Sequence, residues 1–151
     1  MEKNKELIIL QGLPGCGKST WARKYVEGET DWVIVNRDSL RNMRGDYWVP
    51  CQEKLITVWE QDCVESSMKK GFNVIIDATN FNPKILKVWE QMAEIYEYKV
   101  VIKTFDTSLE ECIERDSKRE KPVGKTVIKK FYDMYYDMYF DSKKDDVSVE
   151  E

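Results

Sequence analysis

Lys18 and Ser19 close the stretch Gly12-Leu13-Pro14-Gly15-Cys16-Gly17-Lys18-Ser19-Thr20, which meets the pattern G-x-x-x-x-G-K-[ST] at every fixed position. Glycines at 12, 15 and 17 allow successive main-chain N–H groups to turn inward around an anion. Lys18 is spaced to reach the outer phosphates of a nucleoside triphosphate, and the Ser19 hydroxyl is a Mg²⁺ ligand. Pro14, Cys16 and Thr20 fill the remaining positions of the cradle. A thiol near a helix N-terminus can be reactive, but the setting of Cys16 favours a variable loop position. The stretch predicts binding of ATP or a related triphosphate.

Three further sets of residues could act on such a ligand. Asp38 follows an apolar run, beside where a γ-phosphate would project, and a carboxylate there can take the proton of an attacking hydroxyl. Its alternative role is to cap a helix beginning near Ser39. Arg41, three residues on, shares the helical side of Asp38, and Arg37 adjoins it. Asp77 ends another apolar run and reads as a Mg²⁺ or acceptor ligand, or as the cap of the turn that continues to Asn80. Arg115 and Arg119 are spaced i, i+4. On one helix face, with Lys118, Glu120 and Lys121 interleaved, they read by themselves as a solvated charged helix end. The other use of the pair is a lid closing over the phosphates, where an arginine is worth about 10³–10⁵ in rate.

The elements that position these groups alternate. Leu7-Ile8-Ile9-Leu10 is a short buried strand, the glycine loop follows, and residues from Thr20 to Val26 suit a helix. Strands are expected at Asp31–Asn36, Phe72–Asp77 and Tyr98–Asp106. Helices are expected from Glu53 to Lys70, from an Asn82-Pro83 start to about Glu97, and from Ser108 to Arg115. A last helix is expected from a Thr126 cap, with Ile128, Phe131, Tyr135 and Met138 on one face. Core packing or a contact between two copies of the chain accounts for that stripe and its flanking Tyr132, Tyr136 and Tyr139, and a base-stacking surface is the other use for it. The alternation predicts an α/β fold with a parallel sheet covered on both faces. The expected strand order is 2-3-1-4, with the loop strand central and ligands at the carboxyl ends of the strands.

One domain over residues 1–142, followed by an acidic, disordered tail at 143–151, fits a chain of 151 residues. The net charge of −4 supplies no overall field to attract a polyanion, so any nucleic-acid contact must be a local basic patch. The absence of histidine removes Ser/His and Cys/His nucleophile schemes. Four scattered cysteines without a C-x-x-C pair make no zinc ribbon and fit reduced thiols in a cytoplasmic protein. The apolar runs fall well short of the ~18 residues of a membrane span.

The segments Gly12 to Arg23 (with Ser19-Thr20-Trp21-Ala22-Arg23 after the glycines), Asn36-Arg37-Asp38 with Arg41, Asp77-Ala78-Thr79-Asn80, and Asp116 to Arg119 together resemble the kinase domain of the T-even phage polynucleotide 5′-hydroxyl kinases, within the P-loop kinases. The resemblance runs in order from about Leu7 to Tyr139. It implies ATP-dependent phosphorylation of 5′-OH ends of DNA or RNA. By that resemblance Asp38 is the general base, Arg41 meets the acceptor's phosphate next to the reacting nucleotide, and Arg115 and Arg119 are the lid arginines. Lys18, Asp38 and Arg119 form the catalytic set, and Ser19 and Asp77 the metal site. Arg37, Asp38, Arg41, Asp77 and Asn80 make up the acceptor site, with Arg44 extending a basic track. Two departures stand out: an alanine separates Asp77 from Thr79-Asn80, and no D-x-D-G-T phosphatase motif is present. The expectation is a kinase without 3′-phosphatase activity. A small-molecule kinase (for a nucleoside, sugar or antibiotic) and a nucleotide-dependent binding module are the competing readings.

Overall fold

A computed structural model describes residues 5–43, 50–120 and 122–134. Four strands, β1 (Glu6–Gln11), β2 (Trp32–Asn36), β3 (Asn73–Asp77) and β4 (Lys99–Thr104), form one sheet in the order β2-β3-β1-β4. Every pairing is parallel, with Ile8 opposite Ile75 and Val101, and Ile34 opposite Ile75. The expected order is the observed one. Because all strands point the same way, Gln11, Asn36, Asp77 and Thr104 end along one rim.

Side chains alternate across a strand, so β1 feeds two cores. Leu7 and Ile9 pack with Val74, Ile76, Ile56, Val64, Met68, Trp89 and Ala93, beneath helices α3 (Glu53–Lys69) and α4 (Pro83–Tyr96). Ile8 and Leu10 face the other way, onto Ile75 and Ala22 of α1 (Lys18–Tyr25). A third cluster joins Leu13 and Cys16 of the loop to Cys112 of α5 (Leu109–Ser117) and to Ile128. It ties the far end of the chain to the glycine loop.

Helix starts follow local capping chemistry. Asn82 accepts from the Lys84 N–H with Pro83 at the first position, and Ser108 accepts from the Glu111 N–H, as the sequence expects. Helix α2 (Arg37–Asn42) starts earlier than Ser39: its cap is Asn36, whose Oδ1 accepts from the Ser39 N–H at 2.9 Å. Asp38 is therefore not the cap. The final helix covers residues 125–134, with Gly124 before it and Thr126 already inside its first turn. Gly124, at φ +106°, and not Thr126, stands at its start. Ile128 of the aromatic stripe is fully buried, and Phe131 packs beside it. Arg44, Tyr135, Tyr136, Met138, Tyr139 and the tail lie outside the described residues. No helix among the described residues is long and apolar enough to cross a membrane.

Candidate active site

The glycine loop leaves β1 at Gln11 and enters α1 at Lys18. Gly15 and Gly17 adopt φ of +85° and +100°, the left-handed region that a side chain strains. Gly12 is constrained differently: a Cβ there would stand 2.5 Å from Cys16 Sγ. Lys18 Nζ donates to the carbonyls of Gly12 at 3.0 Å and Leu13 at 2.9 Å, and lies 3.6 Å from Cys16 Sγ. Burial pushes the Cys16 thiol up, against the opposing pull of Lys18, and the side chain packs with Leu13, Cys112 and Ile128.

The metal-ligating pair named from the sequence meets directly. Ser19 Oγ donates to Asp77 Oδ2 at 2.5 Å across 58 residues of chain. Asn36 Nδ2 donates to the same carboxylate oxygen at 2.8 Å. One hydroxyl and one carboxylate at the foot of a phosphate loop suit Mg²⁺, which takes few protein ligands and fills its shell with phosphate oxygens and water. A closed cage is not needed, and no cluster of three or more acidic, His or Cys ligands occurs among the described residues.

Across the rim, two arginines among the described residues pair with Asp38. Its Oδ1 accepts from Arg41 Nη1 at 2.7 Å and its Oδ2 from Arg119 Nη2 at 3.2 Å. Arg41 also sends Nε and Nη2 to the two oxygens of Glu53, at 2.9 and 2.8 Å. Arg37 turns toward α3, where Nη1 reaches Glu60 Oε1 at 2.7 Å and Nη2 reaches Glu53 Oε1 at 3.2 Å. Arg37 thus stands behind Arg41, packed on helix α3, instead of beside it along the rim.

Arg115 and Arg119 do not share the helix face that their spacing predicts. Helix α5 ends at Ser117 with Lys118 as its C-cap, so Arg119 lies in the turn beyond it. Arg115 stays on the helix, with Nη1 over the loop, 3.2 Å from where a Gly17 Cβ would be. The turn is set by Asp116, 1% exposed, whose carboxylate accepts from the N–H groups of Val123 (2.9 Å) and Gly124 (2.8 Å) and from Arg119 Nη1 (3.2 Å). Asn80 does not reach the rim surface. Held at φ +51° and buried, it donates to the Leu10 carbonyl at 2.6 Å and accepts from Trp89 Nε1 at 3.2 Å. It is a strut under the loop, and its polar atoms face main chain and indole.

Sequence reasoning passed over Asn36, Glu53, Glu60 and Asp116. Only Asn36 carried a signal, an Asx residue three positions before a serine at a strand-to-helix junction.

The family model described as an AAA domain matches residues 7–136. A protein of Autographa californica nuclear polyhedrosis virus, named for bifunctional polynucleotide kinase and RNA ligase activities, is 31% identical over 79% of this chain and 19% of its own. The L-seryl-tRNA(Sec) kinase of Methanococcus maripaludis is 33% identical over 50% of this chain and 31% of its own. A chain in the solved Pnkp1/Rnl/Hen1 RNA repair complex is 36% identical with a TM-score of 0.71, over 86% of this chain and 43% of that one. The chain spans less than half the length of each of these relatives. With its glycine loop, its rim and its sheet order, the chain belongs to that AAA domain family as a P-loop kinase domain.

Proposed function

We propose that this P-loop phosphotransferase is an ATP-dependent polynucleotide 5′-hydroxyl kinase. The observation that carries the reading is the Asp38 carboxylate, bracketed by an α2 arginine on one oxygen and a lid arginine on the other. A base between two cations suits a hydroxyl acceptor that carries a phosphate next to its reacting nucleotide. The names of the viral relative and of the RNA repair complex support the same class of acceptor.

In this reading the triphosphate seats on the loop's N–H groups and the N-terminus of α1, and Lys18 exchanges the Gly12 and Leu13 carbonyls for phosphate oxygens. Ser19 and Asp77 would hold Mg²⁺, which would supply neutralisation of phosphate charge when bound. Arg119 leaves Asp38 for the transferring phosphoryl group, which relieves Oδ2 of that ion pair. Oδ2 then takes the proton of the 5′-hydroxyl as its oxygen bonds to the γ-phosphorus. The bond from that phosphorus to the β–γ bridging oxygen breaks, and ADP leaves. Arg41 keeps Oδ1 in place and faces the adjacent phosphate. Arg115 steadies the loop side of the donor.

The test is transfer from γ-labelled ATP with Mg²⁺ to 5′-OH DNA and RNA oligonucleotides, with free nucleosides, sugars and aminoglycosides in parallel. Labelled oligonucleotide is the expected result. Label confined to a small molecule would replace this reading with a small-molecule kinase.

A further inference from the structure

We infer that Glu53 is a positioning residue for the acceptor site, setting the direction in which the Arg41 guanidinium meets the acceptor's phosphate. The inference rests on the proposed function and goes beyond it, because it places an acceptor determinant on α3, outside every element that carries the loop, the base or the lid.

The geometry is a fork held from behind. Glu53 opens α3, and its two oxygens accept from Nε and Nη2 of Arg41 at 2.9 and 2.8 Å, the two-point pairing that fixes the plane of a guanidinium as well as its position. The remaining terminal nitrogen, Nη1, is thereby turned to Asp38 at 2.7 Å. A long side chain at the end of a six-residue helix would otherwise sample many rotamers.

Glu53 is itself held. Its Oε1 also accepts from Arg37 Nη2 at 3.2 Å, and Arg37 in turn is anchored by Glu60 Oε1 at 2.7 Å and Thr57 Oγ1 at 3.3 Å. Glu60 is 2% exposed, its Oε1 is the oxygen that meets Arg37, and its Oε2 has no hydrogen-bond partner. Acid and base alternate from the interior of α3 to the reacting carboxylate: Glu60, Arg37, Glu53, Arg41, Asp38. A guanidinium already half neutralised and fixed in plane receives an incoming phosphate without reorganising, and the phosphate need not displace water from a mobile cation.

Glu53→Ala and Glu53→Asp, each in wild-type and Arg41→Ala backgrounds, test this with 5′-OH acceptors that carry or lack the phosphate next to the reacting nucleotide. Glu53→Ala is expected to raise the KM of the phosphate-bearing acceptor about tenfold or more. The KM for ATP and the kcat for the phosphate-free acceptor should move less than about threefold. In the Arg41→Ala background the further loss should vanish, because the two residues act as one. Glu53→Asp should recover part of the KM. The Arg41 Nε–H resonance, slow to exchange in the wild type, should be lost or broadened in Glu53→Ala at unchanged thermal midpoint.

Equal losses for both acceptors, additive losses in the double variant, or an unchanged Arg41 resonance would each overturn the inference while leaving the kinase reading standing. A wild-type protein that phosphorylates no 5′-OH acceptor would overturn the kinase reading, and the acceptor role of Glu53 with it.

Discussion

Arg119 and Asp38, 81 residues apart in the chain, share an ion pair of 3.2 Å. The residue proposed to stabilise the transferring phosphate thus rests on the residue proposed to take the acceptor's proton. Both side chains are about one-third exposed, so the contact opens readily to solvent and ligand. It ties helix α2 to the turn that follows α5.

Asp38→Asn should reduce kcat by about 10²–10⁴ while ATP affinity changes little, because general-base removal acts on the transition state and the donor sits on the loop. Single-turnover transfer and titration with a fluorescent ATP analogue separate the two. Loss of ATP binding as the main defect would displace Asp38 from the acceptor side.

Arg119→Ala should lower kcat by about 10³ or more, and Arg119→Lys should recover little, since a point charge does not reproduce a planar fork. Arg115→Ala should be milder: its Nη2 is occupied by Glu111 at 2.6 Å on an exposed stretch of helix. Steady-state kinetics on the three variants, with a loss ordered the other way, would exchange the roles of the two arginines.

Asp116→Ala should destabilise the domain by about 2–4 kcal/mol, because it strands the part-buried Val123 and Gly124 N–H groups and one partner of Arg119. Asp116→Asn keeps an acceptor oxygen and should lose less. Urea denaturation reads both. An unaffected midpoint would mean the turn is held some other way.

Gly15→Ala should cost about 1–2 kcal/mol from its φ of +85° alone, and more from contact with the Cys112 carbonyl of α5. Gly28→Ala, at φ +83° with open space around it, isolates the conformational part of that cost. Equal losses at the two sites would remove the proposed packing of α5 on the loop.

Glu60 gives the fold an inverted pH response. Burial, first, pushes its carboxyl above the usual value of 4.5, with Arg37 opposing. A group whose folded value is raised contributes stability that is complete below its unfolded value and is lost as pH rises through the folded value. Relative to the wild type, Glu60→Gln should therefore gain stability as pH climbs from 4.5 into the range above it. Denaturant midpoints across pH 4–8 measure the difference. A difference that shrinks with rising pH would show the Arg37 pair outweighing burial.

The loop, the strand order and the meeting of Ser19 with Asp77 were legible because local pattern and a chirality rule suffice for them. A phosphate motif names its own residues, and right-handed crossovers leave few ways to arrange four parallel strands. The carboxylates of α3 were not legible. Periodicity says which face of Glu53–Lys69 is apolar, but Glu60 interrupts that face, and nothing in the spacing shows that Arg37 lies opposite it. The lid was misplaced for a related reason: i, i+4 spacing predicts a shared face only if the helix continues, and α5 stops at Ser117 because Asp116 turns its carboxylate to main chain beyond the helix.

The parallel sheet has a consequence for how the protein forms. No strand pairs through a hairpin: β1 must find β3 and β4 across the chain, and β2 reaches β3 only after α3 intervenes. Such a topology has high contact order and folds slowly for its length. The rim draws Ser19, Asp38, Asp77 and Arg119 from four separate segments. A nascent or cleaved chain lacking the stretch beyond α4 would carry the whole phosphate motif in its sequence and still lack the β4 edge and the lid. Under the proposed function the rim is complete only with β4 and α5 in place, so an appearance of transfer activity during refolding would report their docking.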